Sequence, residues 1–304
     1  MAETPRFSIV IPCYNYGHWL ARAVDSVLAQ DGDDWDLLVI DDGSSDDTAQ
    51  IARELQERHP GRLRFLTQPN RGVAATRNRG IDETLGDFLI FLDADDELAP
   101  GALAAYRALI ARHPDCDAVV GGYTVITPDG RARRQRPGTL PRSPRRRLRR
   151  YLFAKQLRFS NGALAIRRAV FATRRYPEAL RASEDIPVFA YLVACRRIIT
   201  CPAPLALIHR HDDSLRHHAG HAQAVGMNLL DELFRPGLMP DWALAYRREY
   251  ATRRHLSLFR TCALAGERAD ALEHYRRAWQ SSPLRTLAHG SHLRRYLRLR
   301  LTGR

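Results

Sequence analysis

The stretch DFLIFLDADDELAP, from Asp87 to Pro100, sets Asp93, Asp95, Asp96 and Glu97 within five positions at the end of an apolar run. Like charges this close repel one another, and the buried strand before them adds a desolvation penalty, so a positive partner is expected. In an extended segment Asp93 and Asp95 point to the same side. Two carboxylates so placed suit a hard divalent cation such as Mg²⁺ or Mn²⁺. The same residues also read as an acidic, solvated turn that caps the next helix.

The elements that must hold these residues alternate at short spacing. FSIVIP (Phe7 to Pro12) reads as a strand, and Leu20, Ala23, Val24, Val27 and Leu28 mark one face of a helix. DLLVI ends in Asp41-Asp42-Gly43, and a helix is expected from about Asp47 to Arg58. LRFLT is a third strand, followed by a loop at Asn70-Arg71-Gly72 and a helix through Arg77 to about Thr84. The acidic stretch ends the fourth strand, and DAVVGGYTVI is a fifth. This alternation predicts an α/β fold with a mainly parallel sheet and helices on both faces. Ligands then bind beyond the carboxyl ends of the strands, a rim that takes in Pro12, Asp41, Asp42, Asp93 and Asp95.

With 304 residues and 45% apolar content the chain can bury a full core. It has no twenty-residue apolar run, and its first residues lack a basic, then apolar, leader, so a cytoplasmic protein is expected. The five cysteines are scattered without CxxC spacing, which suits free thiols. A formal net charge of +13 favours anionic partners; Lys155 is the only lysine, so the preference for arginine reflects base composition as readily as function.

The segments SIVIPCYNYGHWLARAVDSVLAQ, LLVIDDGSSDDT, NRGVAATRNRGI, FLDADD and SEDIPVFAYLV resemble, in order and spacing, the inverting nucleotide-sugar transferases of glycosyltransferase family 2, which have the GT-A fold. The resemblance runs from about Phe7 to Arg216. It implies that Pro12 and Tyr14 hold the nucleotide base and that Asp42 accepts a hydrogen bond from it, with a UDP-sugar favoured. Asp42 is otherwise a turn residue before Gly43, and Tyr14 otherwise a packing residue. Arg77 falls where the family sets an arginine facing the nucleotide, a role its forked guanidinium suits; in so arginine-rich a chain a solvated arginine is the other reading.

The resemblance further implies a divalent metal cofactor, Mg or Mn, on Asp95, with Asp93 shared between metal and ribose and Asp96 an accessory. Glu184-Asp185 matches the family's E-D motif, in which the aspartate is the catalytic base and Glu184 a neighbour of the acceptor. Without it Asp185 reads as an acid at a helix N-terminus. IHRHDDSLRHH resembles the family's Y-R-x-H-x-x-S segment; counting back from Ser214 places His211 as a metal or diphosphate ligand, while Ile208 and His209 depart from the pattern. His217, His218 and His221 read as solvated.

Residues 1–220 are expected to form the GT-A domain, its nucleotide-sugar half at about 1–125 and its acceptor half at about 126–220, with 221–304 a basic helical extension. Arg131 to Arg150 is half arginine, contains proline and has no acid, which reads as a mobile loop or lid that clamps an anionic acceptor or lies on acidic lipid. LSLFRTCALAGERADALEHYRRAWQSSP resembles one tetratricopeptide-like helix pair. The terminal helix sets Leu293, Tyr296, Leu297 and Leu301 on one face and Arg294, Arg295 and Arg298 largely off it, a pattern suited to an anionic membrane surface.

The partners expected are a nucleotide-sugar donor and a glycan or polyprenyl-linked acceptor, in bacterial cell-surface polysaccharide synthesis. A sugar-1-phosphate nucleotidyltransferase is the alternative enzyme, but no Gly-rich phosphate loop lies near the N-terminus. A nucleic-acid-binding protein would interleave aromatics with the arginines of 131–150, where none occurs.

Overall fold

The computed structural model describes residues 6–211 and 226–302. Its strands are β1 (Phe7–Cys13), β2 (Trp35–Asp41), β3 (Leu63–Thr67), β4 (Phe88–Phe91), β5 (Glu97–Leu98), β6 (Ala118–Ile126), β7 (Ala132–Gln135), β8 (Leu164–Arg167) and β9 (Ile198–His209). Its α-helices are α1 (Gly17–Leu28), α2 (Thr48–Arg58), α3 (Val73–Glu83), α4 (Ala102–Arg112), α5 (Pro144–Leu152) and α6 (Asp185–Cys195), then α7 (Asn228–Leu233), α8 (Asp241–Leu244), α9 (Arg247–Leu264), α10 (Arg268–Ser281), α11 (Pro283–Leu287) and α12 (Gly290–Thr302).

Among the described residues the nine strands make one sheet in the order β3-β2-β1-β4-β8-β6-β9-β5, with β7 paired to β6. From β3 to β4 the strands are parallel. All seven residues of β1 are buried, as a strand covered on both faces requires. α1 presents Leu20, Ala23, Val24 and Val27 to that sheet, the face its spacing predicts.

Beyond β4 the sheet is mixed. β8 lies antiparallel between β4 and β6, so β6 keeps the direction of β4 without touching it. An alternating βαβ pattern encodes direction but not adjacency, and the four residues of β8 give too short a pattern to announce an inserted strand.

The arginine run is ordered, contrary to the loop or lid expected of it. β7 pairs antiparallel with β6, and α5 begins at Ser143, whose hydroxyl accepts from the Arg146 amide, with Pro144 in its first turn. Leu148 and Leu152 are buried beneath α5 while most of its arginines point outward. Arginine is a good helix former, and here it stands on an amphipathic frame.

The chain divides into two compact units. The first holds the sheet through Glu178 and resumes at Glu184; the second takes in 179–183 and the C-terminal helices. In the second unit α9 and α10 form the helix pair read from the sequence, and their core joins Leu256, Phe259, Cys262, Tyr275 and Leu299. Tyr296 of α12 stacks on Tyr275 with ring centroids 4.1 Å apart, and Leu293 packs beside it. Half of the apolar face expected to meet a membrane is therefore internal, and Leu297 and Leu301 are what stays exposed.

Candidate active site

Parallel strands bring their carboxyl ends to one rim. Pro12 is buried in β1 opposite Ile40, and pairing with β4 has already stopped at Val10, so the N–H that proline lacks leaves no ladder bond unmade on that side. Tyr14, just past the strand, is 47% exposed. Asn15 takes a left-handed conformation (φ 56°), and two bonds fix it: its N–H donates to Ser44 Oγ (2.8 Å) and its Oδ1 accepts from the Ser45 amide (2.8 Å).

Asp42 is buried and engaged with the protein itself. Its Oδ1 accepts from Gln68 Nε2 (2.7 Å) and the Arg71 amide (2.9 Å), and its Oδ2 from the Gly72 amide (2.7 Å). These bonds anchor the loop that starts α3. The placement of Asp42 after β2 pointed to a rim residue, but nothing in the sequence showed that three donors would converge on it.

Arg77 lies inside the protein. It is 3% exposed, and its guanidinium is shared between two carboxylates rather than turned to solvent. Nη2 donates to Asp93 Oδ1 (2.7 Å), Nη1 donates to Glu184 Oε1, and the group lies over the Tyr176 ring at 5.3 Å. Burial opposes its charge, but Asp93 and Glu184 outweigh that and hold its pKa above the ordinary arginine value. α3 can bring Arg77 this close to the sheet because Gly80, one turn on, lies against Val10; a Cβ there would come within 2.5 Å of Val10 Cγ1.

One residue beyond Glu184, Asp185 opens α6. Among the described residues its carboxyl has no side-chain hydrogen bond, and burial first, then the charge of Glu184, push its pKa up to about 6, against the pull of Arg77. Asp93 adds a further push. The acid of the strand end thus repels the acid of the helix start directly, and Arg77 offsets part of that repulsion.

The remaining carboxylates have separate partners. Asp95 Oδ2 and His211 Nε2 share a hydrogen bond (2.9 Å), and burial, then Asp93, raise the pKa of Asp95. His211 sits between Tyr16 and Trp19, at centroid distances of 5.8 and 5.3 Å, and its buried Nδ1 has no partner among the described residues. Asp96 is buried and accepts from the His209 amide (3.0 Å), while Glu97 pairs with the His209 ring at 2.6 Å. These two close the end of β9. Ser214, His217, His218 and His221 lie outside the described residues.

The donor set fits a hard divalent cation. Asp93 and Asp95 repel, Asp95 is held above its ordinary pKa, and the His211 imidazole stands beside it with one nitrogen that no described residue engages. Among the described residues no three such side chains make a complete cage. That suits an ion of the Mg²⁺ type, which completes its shell with substrate phosphates and water. The five cysteines are unpaired, and Cys13, nearest the rim, is pushed up to about 12 by burial and then by Asp41, which leaves it a poor nucleophile.

A family-wide profile described as Glycosyl transferase family 2 matches residues 8–175, more than half of the chain. The chain belongs to glycosyltransferase family 2. A Campylobacter jejuni relative named GalNAc(5)-diNAcBac-PP-undecaprenol beta-1,3-glucosyltransferase is 37% identical over 102 residues, 33% of each protein. Across the first curated relatives the alignments span about a third of their length. The solved structure of S. aureus TarS 1-349 in complex with UDP-GlcNAc superposes with a TM-score of 0.68 at 21% identity, covering 93% of this chain and 83% of that one. The mannosyltransferase PcManGT from Pyrobaculum calidifontis, in complex with GDP-Man and Mn2+, gives 0.57 at 20% identity, covering 99% and 88%.

Within this family 2 chain, Tyr16, Trp19 and Tyr176 are site residues that sequence reasoning did not assign. Tyr16 and Trp19 stand in the quoted CYNYGHW segment, where their spacing from the acidic stretch hid the contact. Tyr176 lies in a loop without periodicity and carried no signal.

Proposed function

We propose that the protein transfers a sugar, with inversion, from a nucleoside-diphosphate donor to a hydroxyl of a glycan or lipid-linked acceptor. Asp185 carries the reading: an acid whose pKa is raised to about 6, next in the chain to the Glu184 that Arg77 ties to Asp93 at the strand end. Above that pH its carboxylate takes the acceptor hydroxyl's proton while the oxygen bonds to the anomeric carbon and the bond from that carbon to the diphosphate breaks on the opposite face. Asp93, Asp95 and His211 would hold a divalent cation. When bound, such an ion supplies neutralisation of the charge on the departing diphosphate.

Pro12 and Tyr14 flank the base, and Asp42 supports the same pocket indirectly, by fixing the Arg71-Gly72 loop. Arg77 positions Asp93 and Glu184 and restrains the pKa of Asp185; Glu184 and Asp96 act as supports. A UDP-sugar is the first donor to try, since the fold is shared with a UDP-GlcNAc complex. The lipid-linked acceptor rests on the name of the Campylobacter relative, and a place in cell-envelope polysaccharide synthesis rests on the same ground. We assign residues 1–220 to the transferase domain and 221–304 to an accessory helical extension.

Thermal stability with UDP, GDP, dTDP and CDP, each with and without Mn²⁺, on the wild type and on Asp95→Ala tests the reading. A metal-dependent stabilisation by one nucleotide that Asp95→Ala abolishes supports it. No stabilisation by any of them overturns it.

A further inference from the structure

The second unit carries a groove of about 570 Å³ between α10, α11 and α12. Leu272, Trp279, Leu287 and Leu293 form its walls together with the stacked rings of Tyr275 and Tyr296. That volume is in the range of sites that take one small molecule or one chain of a larger one. Nothing in the transfer reaction uses it.

Two further observations say what fits. Most of the large apolar side chains exposed among the described residues belong to this unit, and around the groove they include Trp279, Leu284 and Leu287 and, on α12, Leu297 (45% exposed) and Leu301 (80%). Exposed apolar residues so concentrated mark a contact surface. The charge at that surface has one sign: α12 carries Arg294, Arg295, Arg298 and Arg300 and no acid. Glu273, the acid lining the groove, is engaged by Arg276 (2.8 and 2.9 Å) and Arg277 (2.7 Å).

We propose that this face of the second unit docks on an anionic lipid surface, the groove taking an acyl chain and the arginines of α12 the headgroup phosphates. A second copy of the chain would set arginine against arginine, and an extended polyanion would leave the leucines and the apolar groove unused. An amphiphile that is both apolar and anionic satisfies both halves. The proposal stands apart from the transfer reaction, because none of these residues belongs to the site described above.

The test is co-sedimentation of the full chain with phosphatidylcholine vesicles, with and without phosphatidylglycerol, read alongside tryptophan emission. Binding is expected only with phosphatidylglycerol, weakened by salt, with a blue shift in emission that Trp279→Phe removes. Arg294→Ala and Arg300→Ala should each weaken partitioning about fivefold, the factor set by roughly 1 kcal/mol per arginine at such a surface. Leu297→Asp with Leu301→Asp, both at exposed positions, should abolish it while circular dichroism stays unchanged. Equal binding to both vesicles, no binding to either, or self-association that the leucine variants remove would each overturn the proposal, as would binding to nucleic acid in place of vesicles.

Discussion

Asp185 lies where burial and Glu184 make its charge costly, and that cost is what tunes it for proton transfer. Asp185→Asn is expected to lower the transfer rate by about 10²–10⁴-fold, the usual worth of a positioned base. Nucleotide-induced stabilisation should survive in this variant, which separates lost chemistry from lost binding. In the wild type kcat should rise with pH through about 6 and then level off. The sign for stability is the reverse: a carboxyl whose folded pKa is raised stabilises the fold only while protonated, so its cost grows as pH rises from its ordinary 3.8 to about 6. Asp185→Asn should therefore be more stable than wild type at neutral pH by up to about 3 kcal/mol, read as a higher Tm. Arg77→Met has the opposite sense. It leaves Asp93 and Glu184 facing each other without a cation, and urea unfolding should report a loss of about 3–5 kcal/mol. Arg77→Lys, with one point charge in place of a fork, should recover only part of it.

α3 is held to β1 at Gly80, where no side chain fits without moving Val10. Gly80→Ala should cost about 1–3 kcal/mol by overpacking and, by shifting Arg77 away from the two carboxylates, lower kcat more than it raises KM. If unfolding and kinetics match wild type, α3 does not position the clamp. Elements of this kind were legible: β1, β2 and the helices after them follow from apolar faces bounded by turn residues, and β4 from an unbroken apolar run that ends in acids. The acids of the site were legible too, because Asp93, Asp95 and Asp185 lie at element ends inside quoted motifs. What those acids touch was not. Asp42 turning to the Arg71 and Gly72 amides, and Arg77 reaching Glu184, 107 positions further on, are contacts between residues far apart in the chain, and spacing along one segment holds no trace of them. β8 was not legible because its four residues give too short a pattern. α5 escaped for a different reason, since its arginines masked the Ser143 cap and the Leu148 and Leu152 stripe that were present in the sequence.

On the scale of the whole molecule, the two units carry buried ionisable groups whose pH dependence has opposite signs. In the second unit burial, then His274 and Arg277, lower the pKa of His255 to about 4, against an opposing pull from Glu273. His274 is lowered too, by burial and then by Arg277. Below their ordinary 6.5 these histidines gain protons in the unfolded chain before the folded one, so this unit loses stability as pH falls from about 6.5 toward 4, by up to about 3 kcal/mol for His255. Over much of the same window Asp185 is taken up as the neutral acid and the first unit is relieved of its charge. Hydrogen exchange, corrected for intrinsic rates, should then show α9 and α10 losing protection between about pH 7 and about pH 5 while α6 holds or gains it. His255→Phe should flatten the response of α9 and α10 and leave that of α6 alone. A fall in protection shared equally by both units would mean that they open together, and that the linkage of each buried group is spent on a single global transition.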